Sequence, residues 1–165
     1  MSDTACEVIA TYNALAVIGE YDCYQSGVLT NDINKFFRLS AEFQLNAMYI
    51  INGGWFGSDT SKIGDCLSVY NRAYEVYNED ELKMFDAYLR NKKANGAIVS
   101  YDNFGLLKLR IHTFYCYYDA VKNKCIDFNL WGNETAEDLC EESSIEEALN
   151  KNKGTRKFRI GYILI

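Results

Sequence analysis

Apolar positions recur at helical spacing near the start of the chain. Ala5, Val8, Ile9, Tyr12, Leu15 and Ala16 form one stripe, which predicts a buried helix face over residues 3–19. Asp3 or Thr4 can cap that helix, and Gly19 closes it. A polar loop with Cys23 and Gly27 fills residues 20–30. Ile33, Phe36, Phe37, Ala41 and Phe43 mark a second helix, capped by Asn31 or Asp32 and ending near Asn46. A glycine-rich loop follows, Asn52-Gly53-Gly54-Trp55-Phe56-Gly57-Ser58-Asp59-Thr60. It leads into a helix near residues 60–73, and a charge-rich amphipathic helix covers residues 79–94.

After Asn95-Gly96 the character changes. Residues 97–101, 106–119, 124–130 and 158–165 are rich in β-branched and aromatic side chains and alternate in places, which predicts strands. Val121-Lys122-Asn123-Lys124 joins two of them as a hairpin turn. A short acidic helix near residues 135–150 interrupts the series. Helices first and hairpin-linked strands later imply an α+β fold with an antiparallel sheet. No repeat or internal boundary is visible, so residues 1–165 read as one domain.

Composition narrows the function classes. A chain of 165 residues can bury a full-sized core, and 48% hydrophobic against 24% charged residues fits a globular protein. The absence of proline argues against stiff linkers. Net charge is −6, and the densest basic stretch, Lys151, Lys153, Arg156 and Lys157, reads as a solvated loop. Nucleic acid is therefore not an expected partner. The six cysteines, at 6, 23, 66, 116, 125 and 140, contain no CxxC pair, and there is one histidine. Neither a zinc site nor any other cofactor is expected, and free thiols in a reducing compartment are. No apolar stretch is long enough to span a membrane, and no signal peptide is visible, which favours the cytoplasm. Nothing in the sequence fixes an oligomeric state.

The single histidine, His112, lies in the strand-like run Arg110–Tyr118. Its pKa range suits a general base. Cys6 sits in the first turn of the first helix, where unpaired N–H groups and the helix dipole favour a thiolate. The next strand carries Asp127 and Asn129, two apart and so on one face, and either could orient an imidazole. A helix-start Cys, a strand His and an Asn on the following strand compose a nucleophile, a base and an orienting group. Each also has a bland reading: a buried inert thiol, a packed core histidine, a turn-forming Asn, a solvated Asp. Cys116 is a rival thiol on the face of His112, but four residues along a strand is too far for a direct hydrogen bond. The glycine loop lacks the Gly-Lys-Ser/Thr of a phosphate-binding loop.

The stretch Ala5-Cys6-Glu7-Val8-Ile9-Ala10-Thr11-Tyr12-Asn13-Ala14-Leu15 resembles the nucleophile helix of C39-like peptidases, bacterial enzymes of papain-like fold. Gly96-Ala97-Ile98-Val99-Ser100-Tyr101 is similar to the strand before that family's histidine. Ile111-His112-Thr113-Phe114-Tyr115-Cys116-Tyr117-Tyr118-Asp119 resembles the histidine strand, and Phe128-Asn129-Leu130-Trp131 the segment supplying its Asn or Asp. The resemblance implies Cys6 as nucleophile, His112 as base and Asn129 as orienting residue. Two departures stand out. Cys6-Glu7-Val8 replaces the family's Cys-Gly-Pro. None of the five residues before Cys6 is the Gln that completes the family's oxyanion hole. One missing oxyanion donor costs on the order of 100- to 1000-fold in rate.

The sequence therefore predicts a papain-like α+β domain with N-terminal helices packed on an antiparallel sheet. The expected function is a cysteine peptidase or related amide hydrolase acting on a peptide or protein through Cys6, His112 and Asn129. The alternative is a papain-fold binding module without activity.

Overall fold

The computed structural model describes residues 6–17, 59–91, 94–104, 109–128, 140–150 and 156–165. Its elements in chain order are helix α1 (Cys6–Val17), helix α2 (Ile63–Val69), strand β1 (Tyr74–Asn78), helix α3 (Leu82–Leu89), strands β2 (Ala97–Phe104), β3 (Leu109–Asp119), β4 (Lys124–Phe128) and β5 (Cys140–Glu142), helix α4 (Ile145–Asn150) and strand β6 (Arg156–Leu164). The expected loop over 20–30, the helix over 31–46 and nearly all of the glycine loop fall outside the described residues.

The six strands form one sheet in the order β1-β6-β2-β3-β4-β5, and every neighbouring pair is antiparallel. The fold is α+β, as the sequence predicted. The hairpin between β3 and β4 forms at the predicted turn. Asp119 Oδ1 accepts the N–H groups of Val121 and Lys122, at 2.9 and 3.1 Å, and Asn123 takes a left-handed φ of 55°. A short polar side chain tolerates that conformation and can cap its own turn.

Helices cover both faces of the sheet. On one face, Val8, Tyr12 and Leu15 of α1 and Ile63 and Leu67 of α2 pack against Ile98, Tyr115, Ile126, Phe128 and Tyr162. On the other, Phe85 and Leu89 of α3 and Ile145, Ala148 and Leu149 of α4 pack against Val99, Tyr101, Phe114, Cys116 and Phe158. An antiparallel sheet with one wet face alternates apolar and polar residues. Burying both faces explains why runs such as Ala97-Ile98-Val99 and Phe114-Tyr115-Cys116 are apolar throughout. The close approach of α3 depends on Gly161 of β6. A Cβ there would lie 2.4 Å from the Phe85 ring, which is fully buried and packed on Phe158 at 5.3 Å and Tyr77 at 5.7 Å.

Three sequence expectations need correction. Tyr74-Glu75-Val76-Tyr77-Asn78 is an edge strand, so strands do not all follow the helices. Of the acidic helix expected near 135–150, the described part begins at Cys140, where Cys140–Glu142 is the short strand β5 and Ile145–Asn150 is helical. Asp86 of α3 anchors that six-residue helix by accepting the Ile145 and Glu146 N–H groups, at 2.9 and 3.4 Å. Finally, α1 has no wet face: between Cys6 and Leu15 only Ile9 is less than buried. The stripe located the contact with the sheet, but the helix is enclosed on its other sides as well.

Candidate active site

Cys6 opens α1, and α1 lies across β3. The thiol is buried, 7% exposed, and donates a hydrogen bond to Glu7 Oε2 at 3.2 Å. Burial pushes its pKa well above the ordinary thiol value. The negative charge of Glu7 and the hydrogen bond to it push the same way, against weaker help from the main-chain N–H groups of Thr113 and Glu7. The thiol is thus held as a neutral donor, not as the thiolate that attacks carbonyls.

Glu7 is itself buried, 1% exposed. Its Oε1 accepts the Thr113 hydroxyl at 3.4 Å, and Thr113 Oγ1 lies 2.8 Å from Ser100 Oγ on β2. A polar chain therefore runs Cys6–Glu7–Thr113–Ser100 between helix and sheet. The sequence marks Glu7 only as a departure from the Cys-Gly-Pro pattern, and gives Thr113 no role. The signal was present: Glu7 is the only charged residue in the first helix, and a carboxylate buried there must find partners.

His112 immediately precedes Thr113. Side chains alternate along a strand. Thr113 lies on the side of Tyr115, which packs under α1, and His112 on the side of Phe114 and Cys116, which pack under α3 and α4. The imidazole is buried, edge-on to Tyr101 with ring centroids 5.5 Å apart. The Arg156 guanidinium covers the same tyrosine at 5.2 Å. The structure thus brings the start of α1 to the neighbour of His112, across 106 residues of sequence. It does not join thiol and imidazole: the hydrogen-bond partners of Cys6 are Glu7 and the Thr113 main chain.

Asn129 lies outside the described residues. Asp127 is fully buried on the face of His112, but its partner across the β3–β4 ladder is Cys116. Cys116 is four residues, about 13 Å, along β3 from His112. Asp127 is therefore not beside the imidazole. Cys116 is also buried, and its thiol is pushed well up by burial first and by the charge of Asp127 second. It offers no activated nucleophile in place of Cys6.

No helix among the described residues is long and apolar enough to cross a membrane. No family model matches this chain, and comparison with curated proteins and with solved structures finds no match.

Proposed function

We propose that this chain is a single papain-like domain that binds a peptide or protein without cleaving it. The observation that carries the reading is the state of Cys6. Its thiol donates to the buried Glu7 carboxylate, while the only histidine packs on Tyr101 from the other face of β3. A cysteine hydrolase needs the reverse, a thiolate stabilised by an imidazolium within hydrogen-bond reach. The papain-like part of the reading is supported by the placement of α1, whose first residue docks on β3 at Thr113. A hairpin then leads from β3 into β4, which heads toward Asn129.

Alkylation tests the reading. Iodoacetamide at about pH 7 should modify Cys6 no faster than the buried Cys66, Cys116 and Cys125, and His112→Ala should leave the Cys6 rate unchanged. Fast labelling of Cys6 that His112→Ala abolishes would overturn it and establish the second reading. That second reading is a cysteine peptidase or related amide hydrolase using Cys6, His112 and Asn129. One observation favours it: of all positions on the sheet, the thiol meets the residue adjacent to the histidine. In that case His112 would have to turn across the strand edge to reach Cys6.

A further inference from the structure

We infer that the free edge of β1 is a docking site for an extended, lysine- or arginine-bearing peptide, which adds to the sheet as a seventh strand. The inference goes beyond the reading above by naming a surface and a ligand chemistry. It rests on that reading only for the expectation of a peptide ligand, and the alkylation of Cys6, which tests cleavage and not binding, has an outcome independent of it.

Among the described residues β1 is the outer strand of the sheet, paired on one side with β6. The hydrogen-bond phase shows which of its groups face outward. Ile165 N–H donates to the Ala73 carbonyl at 3.1 Å, so residue 73 points at β6. On the other side, the Leu164 amide and carbonyl bond to Gly96 and Asn95, away from β1. Leu164 is the register partner of Tyr74. In an antiparallel ladder, residues alternate between bonding their partner and pointing away. Glu75 and Tyr77 therefore bond β6, while Tyr74 and Val76 direct N–H and C=O groups to the open edge. The N–H of Asn78, next in that phase, is occupied by Glu81 Oε2 at 2.7 Å, which ends the edge there. An extended peptide can use such an edge as a template, with main-chain bonds giving affinity and alternate side chains giving specificity.

Side chains decide which peptide fits. Val76 is 43% exposed at the middle of the strand, an apolar contact for one residue of an added strand. The segment of chain that carries it is acidic. Between residues 59 and 81 the chain carries six acidic residues, Asp59, Asp65, Glu75, Glu79, Asp80 and Glu81, against Lys62 and Arg72. Asp65 pairs with Lys62 and Glu79 with Lys157 of β6, which leaves Asp59, Glu75, Asp80 and Glu81 without an ion pair to lysine among the described residues. This segment leads into β1, forms it and leaves it. A strand alternating cations with apolar residues matches that surface, since opposite charges across neighbouring strands stabilise pairing and like charges oppose it. The same argument disfavours a second copy of this chain, which would bring the same acids, and another net −6, to the edge.

The test uses the full chain and a fluorescently labelled octapeptide of alternating lysine and valine, titrated by anisotropy. The key variant is Val76→Pro. It removes an outward N–H while leaving the β1–β6 bonds, which is why proline is tolerated on edge strands. Saturable binding of the lysine–valine peptide, no binding of its glutamate–valine counterpart, and a several-fold loss of affinity for Val76→Pro are expected, the last from the one lost main-chain bond. The same peptide N-methylated at every residue keeps its charge and loses its donors, so it should also bind at least about tenfold more weakly, even if Val76→Pro fails to fold. Equal affinity of the N-methylated peptide would reduce the effect to bulk charge and overturn the inference. So would no binding at all, or a dimer in light scattering that Val76→Pro dissociates, because the occupant would then be a second copy.

Discussion

Glu7 occupies the position directly after the candidate nucleophile, and its carboxylate does two things to that thiol. It accepts the thiol's hydrogen bond and it places a negative charge beside the sulfur. Both favour the protonated form, and both add to the larger effect of burial. Glu7→Gln keeps an acceptor and removes the charge. It should therefore lower the Cys6 pKa part of the way and raise its alkylation rate at about pH 8 several-fold, with thermal stability as the control for opening of the fold. An unchanged or slower rate would show that Glu7 does not govern the thiol. Cys6 and His112 were identifiable because a helix-start cysteine and a lone strand histidine are rare in one chain. The direction of the imidazole was not, because it turns on whether residue 112 or 113 faces α1. A sheet apolar on both faces erases the alternation that would have decided it.

The strands of the C-terminal half were legible because β-branched and aromatic residues there sit between clear turn residues. β2, β3, β4 and β6 lie within a few residues of where the pattern placed them. β1 was hidden for the opposite reason. Tyr-Glu-Val-Tyr-Asn is half exposed and sits between two helical segments, and it becomes a strand only by pairing with β6, the last element of the chain. Helix α3 closes over that pairing, and Gly161 is what lets it close. Gly161→Ala would drive a methyl group to 2.4 Å from a Phe85 ring already held by Tyr77 and Phe158. Overpacking of that kind costs about 1–3 kcal/mol. The expected outcome is a lower urea midpoint with the slope of unfolding unchanged. A variant as stable as the parent would mean that α3 can lift off the sheet without loss.

Over the whole molecule, both cores contain thiols. Cys6 at the start of α1 and Cys66 of α2 are buried on one face of the sheet, and Cys116 and Cys125 lie under α3 and α4 on the other. Burial is the largest cause of the upward shift at Cys6, Cys116 and Cys125, and carboxylates deepen it: Glu7 at Cys6, Asp127 at Cys116 and Cys125, the last pushed up to about 12. Such shifts are statements about stability. Above about pH 9, the ordinary thiol value, an unfolded chain releases protons that the folded chain keeps. The thiol contribution is therefore fully present below that pH and is lost as pH rises through the alkaline range. Each thiol contributes a slope of up to about 1.4 kcal/mol per pH unit in that window. Urea unfolding followed from about pH 8 to about pH 10 should show the midpoint falling steadily, with the steepest loss above the unfolded thiol value. Prior alkylation of the unfolded chain should prevent native refolding altogether, because the sites that hold these sulfurs have no room for the added group. A midpoint independent of pH across that range would mean that the thiols titrate as they do in solvent, and with that the buried, neutral state of Cys6 on which the binding reading depends would fall.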